Sequence, residues 1–158
     1  MKPAERIITK GFLIVLSLLI FSSCSEDDIA DGEEIYFETI AQHYLSTSEE
    51  LNEQQLVIHD QESWEELLSQ MESVNDQSKY FNRTEFDFSE EILLVVLDKF
   101  RPNGGHSIEI TRLLESKSQI SAIVEKPEKG NATAMVMQPY HIISIEKTSK
   151  NVRFILKY

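Results

Sequence analysis

The chain has 158 residues, 41% hydrophobic and 27% charged, a composition suited to one soluble globular domain with an ordinary core. Its 27 Asp and Glu residues outnumber 15 Lys and Arg, for a formal net charge of −12. A surface of that sign repels nucleic-acid phosphates and anionic headgroups, which excludes nucleic acid as a partner and leaves a basic protein, a divalent cation or a neutral glycan open.

In chain order, residues 1–23 have the layout of a targeting segment. Lys2, Arg6 and Lys10 form a positive start, and Gly11 to Phe21 form an apolar run too short to span a bilayer comfortably. Ser22 and Ser23 then lead into Cys24, the only cysteine, which has no disulfide partner within the chain. The alternative is an ordinary secretory signal with an incidental cysteine. Small residues running straight into a lone cysteine resemble the bacterial lipobox, with Phe21 where that motif prefers Leu. The resemblance implies a lipid-modified Cys24 and an outer-membrane location, because acyl chains contribute roughly 0.8 kcal/mol per buried methylene. Residues 24–34, with Glu26-Asp27-Asp28 and Glu33-Glu34, bury too little surface to order themselves and read as an acidic tether. Such a run also resembles the export signal that sends some lipoproteins to the cell surface. A solvated linker on a periplasm-facing protein is the other reading.

The domain proper is expected over 35–158. Ile35 to Ile40 is aromatic and β-branched and predicts a first strand. Ser46 to Glu53 is polar and predicts a loop, and Leu56-Val57-Ile58 a short strand. Asp60 is placed to cap a helix in which Trp64, Leu67, Leu68 and Met71 share one face, running to about Val74-Asn75. Residues 76–83 read as loop, and Asp87-Phe88-Ser89 as a turn capped by the Asp87 side chain. Ile92 to Leu97 is apolar at both parities, which predicts a central strand covered on both faces. The turn signal Arg101-Pro102-Asn103-Gly104-Gly105 then joins it to Ser107–Thr111, a pattern that predicts a hairpin. Ile120 to Glu125 is a further strand. Tyr140–Ile145 and Asn151–Leu156 read as a closing hairpin. One helix among mostly sequential strands predicts an α+β fold with a predominantly antiparallel, curved sheet.

Residues 81–157 resemble the C-terminal domain of the PrcB family. The features that carry the resemblance are Asp87-Phe88-Ser89, the apolar strand 92–97, Arg101 to Gly105, Ser107-Ile108-Glu109-Ile110, Val124-Glu125 with Pro127, and Pro139-Tyr140-His141-Ile142. The chain departs from the pattern at His106, where an aromatic residue usually follows Gly-Gly, and at Asp98, where glycine is frequent. The resemblance implies a lipoprotein subunit that associates with, and can stabilise, an exported subtilisin-like protease. It brings no catalytic residues with it.

No other constellation argues for chemistry. His43, His59, His106 and His141 lack close metal-ligand spacing, and no HExxH helix, G-x-S-x-G elbow or phosphate-cradling loop is present. The expectation is therefore a non-enzymatic protein with no cofactor and no metal. The loop Phe100, Arg101, Pro102, Asn103, Gly104, Gly105 and His106 carries residue types enriched at binding surfaces, and it is the candidate partner-binding element. Two readings of it stand side by side, a docking surface or a turn whose glycines only relieve the backbone. Partners are a membrane, through lipid on Cys24, and an exported protease or other envelope protein. A small-ligand or glycan site is the main alternative, followed by a hydrolase.

Overall fold

The computed structural model describes residues 32–46, 51–73 and 76–157. Cys24, the targeting segment, most of the acidic tether and the expected helix end at Val74-Asn75 lie outside the described residues. The strands are β1 (Glu33–Ile35), β2 (Glu38–Leu45), β3 (Gln54–Ile58), β4 (Glu91–Leu97), β5 (Glu109–Glu115), β6 (Gln119–Glu125), β7 (Gln138–Glu146) and β8 (Asn151–Lys157), with one helix, α1 (Gln61–Glu72). They form two four-stranded sheets, ordered β1-β5-β6-β8 and β2-β7-β4-β3. Every pairing is antiparallel except β6 with β8. The fold is α+β with a mostly antiparallel β framework and a single helix, as expected.

The molecule is layered around β4. Ile92, Leu94 and Val96 face the β1-β5-β6-β8 sheet and pack with Ile110, Leu113, Ile120, Ile143 and others. Leu93, Val95 and Leu97 face the opposite way and pack with Trp64, Leu67 and Met71 of α1. Each face of the strand thus has its own cover, which is why the run is apolar at both parities. Within its sheet β4 lies between β3 and β7. On α1, Asp60 caps the N-terminus by accepting from the Ser63 N–H at 2.8 Å. The buried Trp64 meets Phe86 edge-on at 5.1 Å and Phe81 at 5.8 Å.

The structure corrects the strand pairing in three places. β4 and β5 do not form a hairpin but belong to different sheets, because both edges of β4 are taken by β3 and β7. β7 and β8 likewise part company, and β8 joins β6 in parallel. The expected first strand is two, since the chain changes sheets at Tyr36 and Phe37 and leaves Tyr36 88% exposed. The tether ends earlier than its composition suggests, because Glu33 and Glu34 pair with Glu115 and Leu114 in β1. Gly32 lies against the Glu115 carbonyl, so close that a Cβ there would stand 2.8 Å from its oxygen.

A buried side chain of β7 reaches across to the other sheet. His141, on β7 and 1% exposed, accepts the Ile110 N–H of β5 on Nδ1 at 2.9 Å. Its Nε2 lies 3.2 Å from Thr39 Oγ1. The Ile110 amide is turned out of its own ladder at a β-bulge between Ile110 and Arg112, and the imidazole satisfies it. Burial pushes the His141 pKa down to about 4.

Candidate functional site

Register divides the molecule into two poles. At one pole Glu33 meets Glu115, Glu38 meets Ser144 and Glu91 meets Glu146. At the other, β4 ends at Leu97, β5 begins at Glu109 and β6 ends at Glu125. The seven residues of β5 separate the poles by roughly 20 Å. The candidate loop 100–106 lies at the second pole, away from Glu33.

The loop does not stand alone. A second excursion, between β6 and β7, is zipped onto it. The Arg101 and Met137 backbones bond to each other at 2.8 and 3.0 Å, Gly104 N–H reaches Thr133 O at 3.0 Å, and Gly130 and Asn131 N–H reach Gly105 and Gly104 O at 2.8 Å each. Of the two adjacent glycines only Gly105 needs to be glycine for its backbone, at φ +74°. An added Cβ there would also sit 2.3 Å from Asn131 Nδ2, whereas at Gly104 the nearest atom would be 3.4 Å away.

Asp98 is the root of this loop pair. Its side chain is 1% exposed and accepts from Arg101 Nη2 at 2.7 Å and from Lys126 Nζ at 2.5 Å. Burial would raise the carboxyl pKa, but hydrogen bonds from Lys126 and Arg101 outweigh it and hold the group below its ordinary value. Lys126 leaves β6 just where Asp98 leaves β4, so the ion triad ties the two sheets together. Asp98 therefore has a structural role. Gln138 Nε2 donates to the Asp98 carbonyl at 2.9 Å and to Leu51 O at 2.6 Å, closing the base of the loop.

The sequence-predicted site residues are thereby accounted for. Arg101 turns its guanidinium onto Asp98, donating from Nε at 3.0 Å and Nη2 at 2.7 Å. His106 Nε2 lies 3.2 Å from Asn103 Oδ1, and Asn103 Nδ2 donates to Asn131 O at 2.8 Å. Pro102 is exposed, Phe100 is half-buried and Gly104 is buried. Tyr140 is fully buried, its hydroxyl donating to Gln77 Oε1 at 2.8 Å. What the loop pair presents outward is Lys99, Pro102 and, from the second excursion, residues 127–134 and Val136, the last at 39% exposure.

Beside the loop pair runs a groove of about 490 Å³ between β2 and the zipped excursions. His43, Tyr44, His106, Met135 and Met137 line it. Sequence reasoning left His43 and the methionines out of any site, because they come from segments far apart in the chain. A second groove, about 560 Å³, lies at the Glu33 pole, where Arg83 bridges Glu38 at 2.9 Å and Glu91 at 2.5 Å. The hydrogen bond from Arg83 outweighs burial and holds the Glu91 pKa at about 2. Among the described residues no group of three or more His, Asp, Glu or Cys side chains is arranged to hold a metal ion, and no helix is long and apolar enough to cross a membrane. Comparison with models of known protein families, with curated proteins and with solved structures returned no match.

Proposed function

We propose that this protein is a non-enzymatic, lipid-anchored envelope subunit that binds a protein partner through the zipped loop pair at the pole remote from its anchor. The observation that carries the reading is the placement of that pole. Lipid on Cys24 leaves eight residues, 25–32, before β1. Even fully extended they reach only about 28 Å, which keeps the domain close to the bilayer and joins the tether to the Glu33 pole rather than to the loops. A loop pair rooted on a buried ion triad and cross-bonded along its length is pre-organised, which reduces the entropy lost on docking. The resemblance of residues 81–157 to the PrcB domain makes an exported subtilisin-like protease the partner of first choice. An outer-membrane location with the domain facing outward goes with the same reading.

Affinity capture of the full chain from detergent-solubilised envelopes tests it, alongside Pro102→Asp and Val136→Asp at the loop pole and Tyr36→Asp at the other. The expected result is an envelope protein that co-elutes with the wild type and Tyr36→Asp but is lost from both loop variants. An eluate with no envelope partner, or a partner indifferent to the loop substitutions, refutes the proposal. The alternative of a small-ligand or glycan binder draws on the groove beside the loops, and a glycan that protects the protein from thermal unfolding would favour it.

A further inference from the structure

The four histidines show no ligand spacing along the chain, but the fold gathers two of them with two of the four methionines. Met135 and Met137 flank Val136, and both are turned toward the groove, half-buried and buried, while Val136 is exposed. Met137 is 4% exposed, and its Sδ lies 3.5 Å from the His106 amide nitrogen. Met135 Sδ accepts from the Tyr44 hydroxyl at 3.9 Å, and the Tyr44 ring stacks on His43 at 4.5 Å. The two sulfur–histidine neighbourhoods line a single groove.

Hydrogen bonding also fixes both imidazoles. His43 Nδ1 lies 3.1 Å from the Tyr44 carbonyl oxygen, which can only accept, so Nδ1 carries the proton and Nε2 the lone pair. The Asn103 amide is oriented by its donation to Asn131 O, so the oxygen faces His106. His106 Nε2 must then carry the proton, leaving the lone pair on Nδ1. An imidazole that donates one N–H to a fixed oxygen and keeps its other nitrogen bare is the arrangement found behind metal-bound histidines.

We propose that this groove is a site for a soft monovalent cation, Cu(I) or Ag(I), with Met135, Met137 and His106 as its ligands; His43, which shares the face of Ala41 and Leu45 on β2, only borders it. Thioether sulfur selects Cu(I) over Zn(II), Mg(II) or Ca(II), and neutral imidazole suits copper. The two thioethers carry no proton to lose on binding, whereas the imidazole must be neutral to take the ion. Glu109 and Glu128, which line the same groove, supply negative charge toward the ion. The site goes beyond the partner-binding reading and does not depend on it.

The test is a titration of the detergent-solubilised full chain with Ag(I), and with Cu(I) under ascorbate against a chromogenic Cu(I) chelator. A Cys24→Ser chain is run alongside to remove the one thiol. The expected result is one ion per chain, retained in Cys24→Ser and not displaced by equimolar Zn(II). Met135→Leu with Met137→Leu should weaken binding by roughly 100-fold or more while far-UV and thermal melting stay close to wild type, because Leu replaces Met at similar volume. His106→Phe should weaken binding by at least ~10-fold. X-ray absorption of the copper form should show a mixed sulfur and nitrogen shell. Binding that vanishes with Cys24→Ser, that survives the double Leu variant, or that Zn(II) displaces overturns the assignment, as does the absence of stoichiometric uptake.

Discussion

Replacing Asp98 with Asn removes one negative charge, at nearly constant volume, from a position that is 1% exposed between two cations. Removing one partner of a buried ion pair costs about 3–5 kcal/mol, chiefly through the charge left behind. Here the orphaned groups are Arg101 and Lys126, whose side chains keep 21% and 16% exposure. Water reaches both, and Lys126 retains Glu53 at 3.2 Å, so the lower end applies, about 3 kcal/mol. For a domain of this size each kcal/mol moves Tm by roughly 4 °C, giving a fall of roughly 12 °C at pH 7. Calorimetry of the wild type and Asp98→Asn, followed down in pH, reads the effect. The Asp98 carboxyl titrates below its ordinary 3.8 in the folded state, so its contribution is whole above that pH and is lost as the pH falls further. The gap between the two proteins should therefore close under strong acid. A Tm difference under about 4 °C at pH 7, or one that persists unchanged at pH 2, would refute the triad as the root of the loops.

The remaining predictions concern other places in the fold. Because the His141 pKa is lowered from 6.5 to about 4, the folded state binds fewer protons than the unfolded one in that window and stability falls with pH. Between pH 6.5 and 5, where most carboxylates stay ionised, the loss from this group is roughly 2 kcal/mol. Denaturant midpoints of the wild type against His141→Gln across that interval check it, and parallel curves would count against it. Gly105→Ala forces a left-handed backbone on a residue with a side chain and should destabilise by roughly 2 kcal/mol, while Gly104→Ala stays within about 0.5 kcal/mol. Equal effects of the two changes in chemical denaturation would contradict the conformational difference between the glycines. Cys24→Ser should move the protein from the membrane to the soluble fraction, and unchanged retention would end the anchor proposal.

Sequence alone was enough to identify most of the elements and their faces, though not the split of the first strand at Tyr36 and Phe37 or the extension of β5 to Glu115. Asp60 and the Trp64, Leu67, Met71 stripe specify α1 through local spacing and one cap, and the unbroken apolar run of β4 required two covers before any were known. Local chemistry also fixed the Asp87 turn, where the carboxylate accepts from the Ser89 N–H at 2.9 Å. Partner strands were another matter. A hairpin signal reports only that the chain turns, and Arg101 to Gly105 does turn. Whether the strand that follows returns to the same sheet depends on which edges are free, and β3 and β7 had already filled both edges of β4.

The same limit governed the site. Arg101 and His106 look like contact residues in a list of exposed loop types, yet Asp98 and Asn103 hold them inward, and no local pattern encodes a partner contributed by Lys126 from the end of another strand. His43, His106, Met135 and Met137 carry no spacing that would group them. The sequence by itself determined which segments are strand or helix and which of their faces are apolar, because those follow from side-chain period and caps within a few residues. Only the tertiary structure decided which strands share a sheet and which polar groups meet at the loop pole, because edge pairing, buried charge and donor convergence are set by residues brought together across the whole chain.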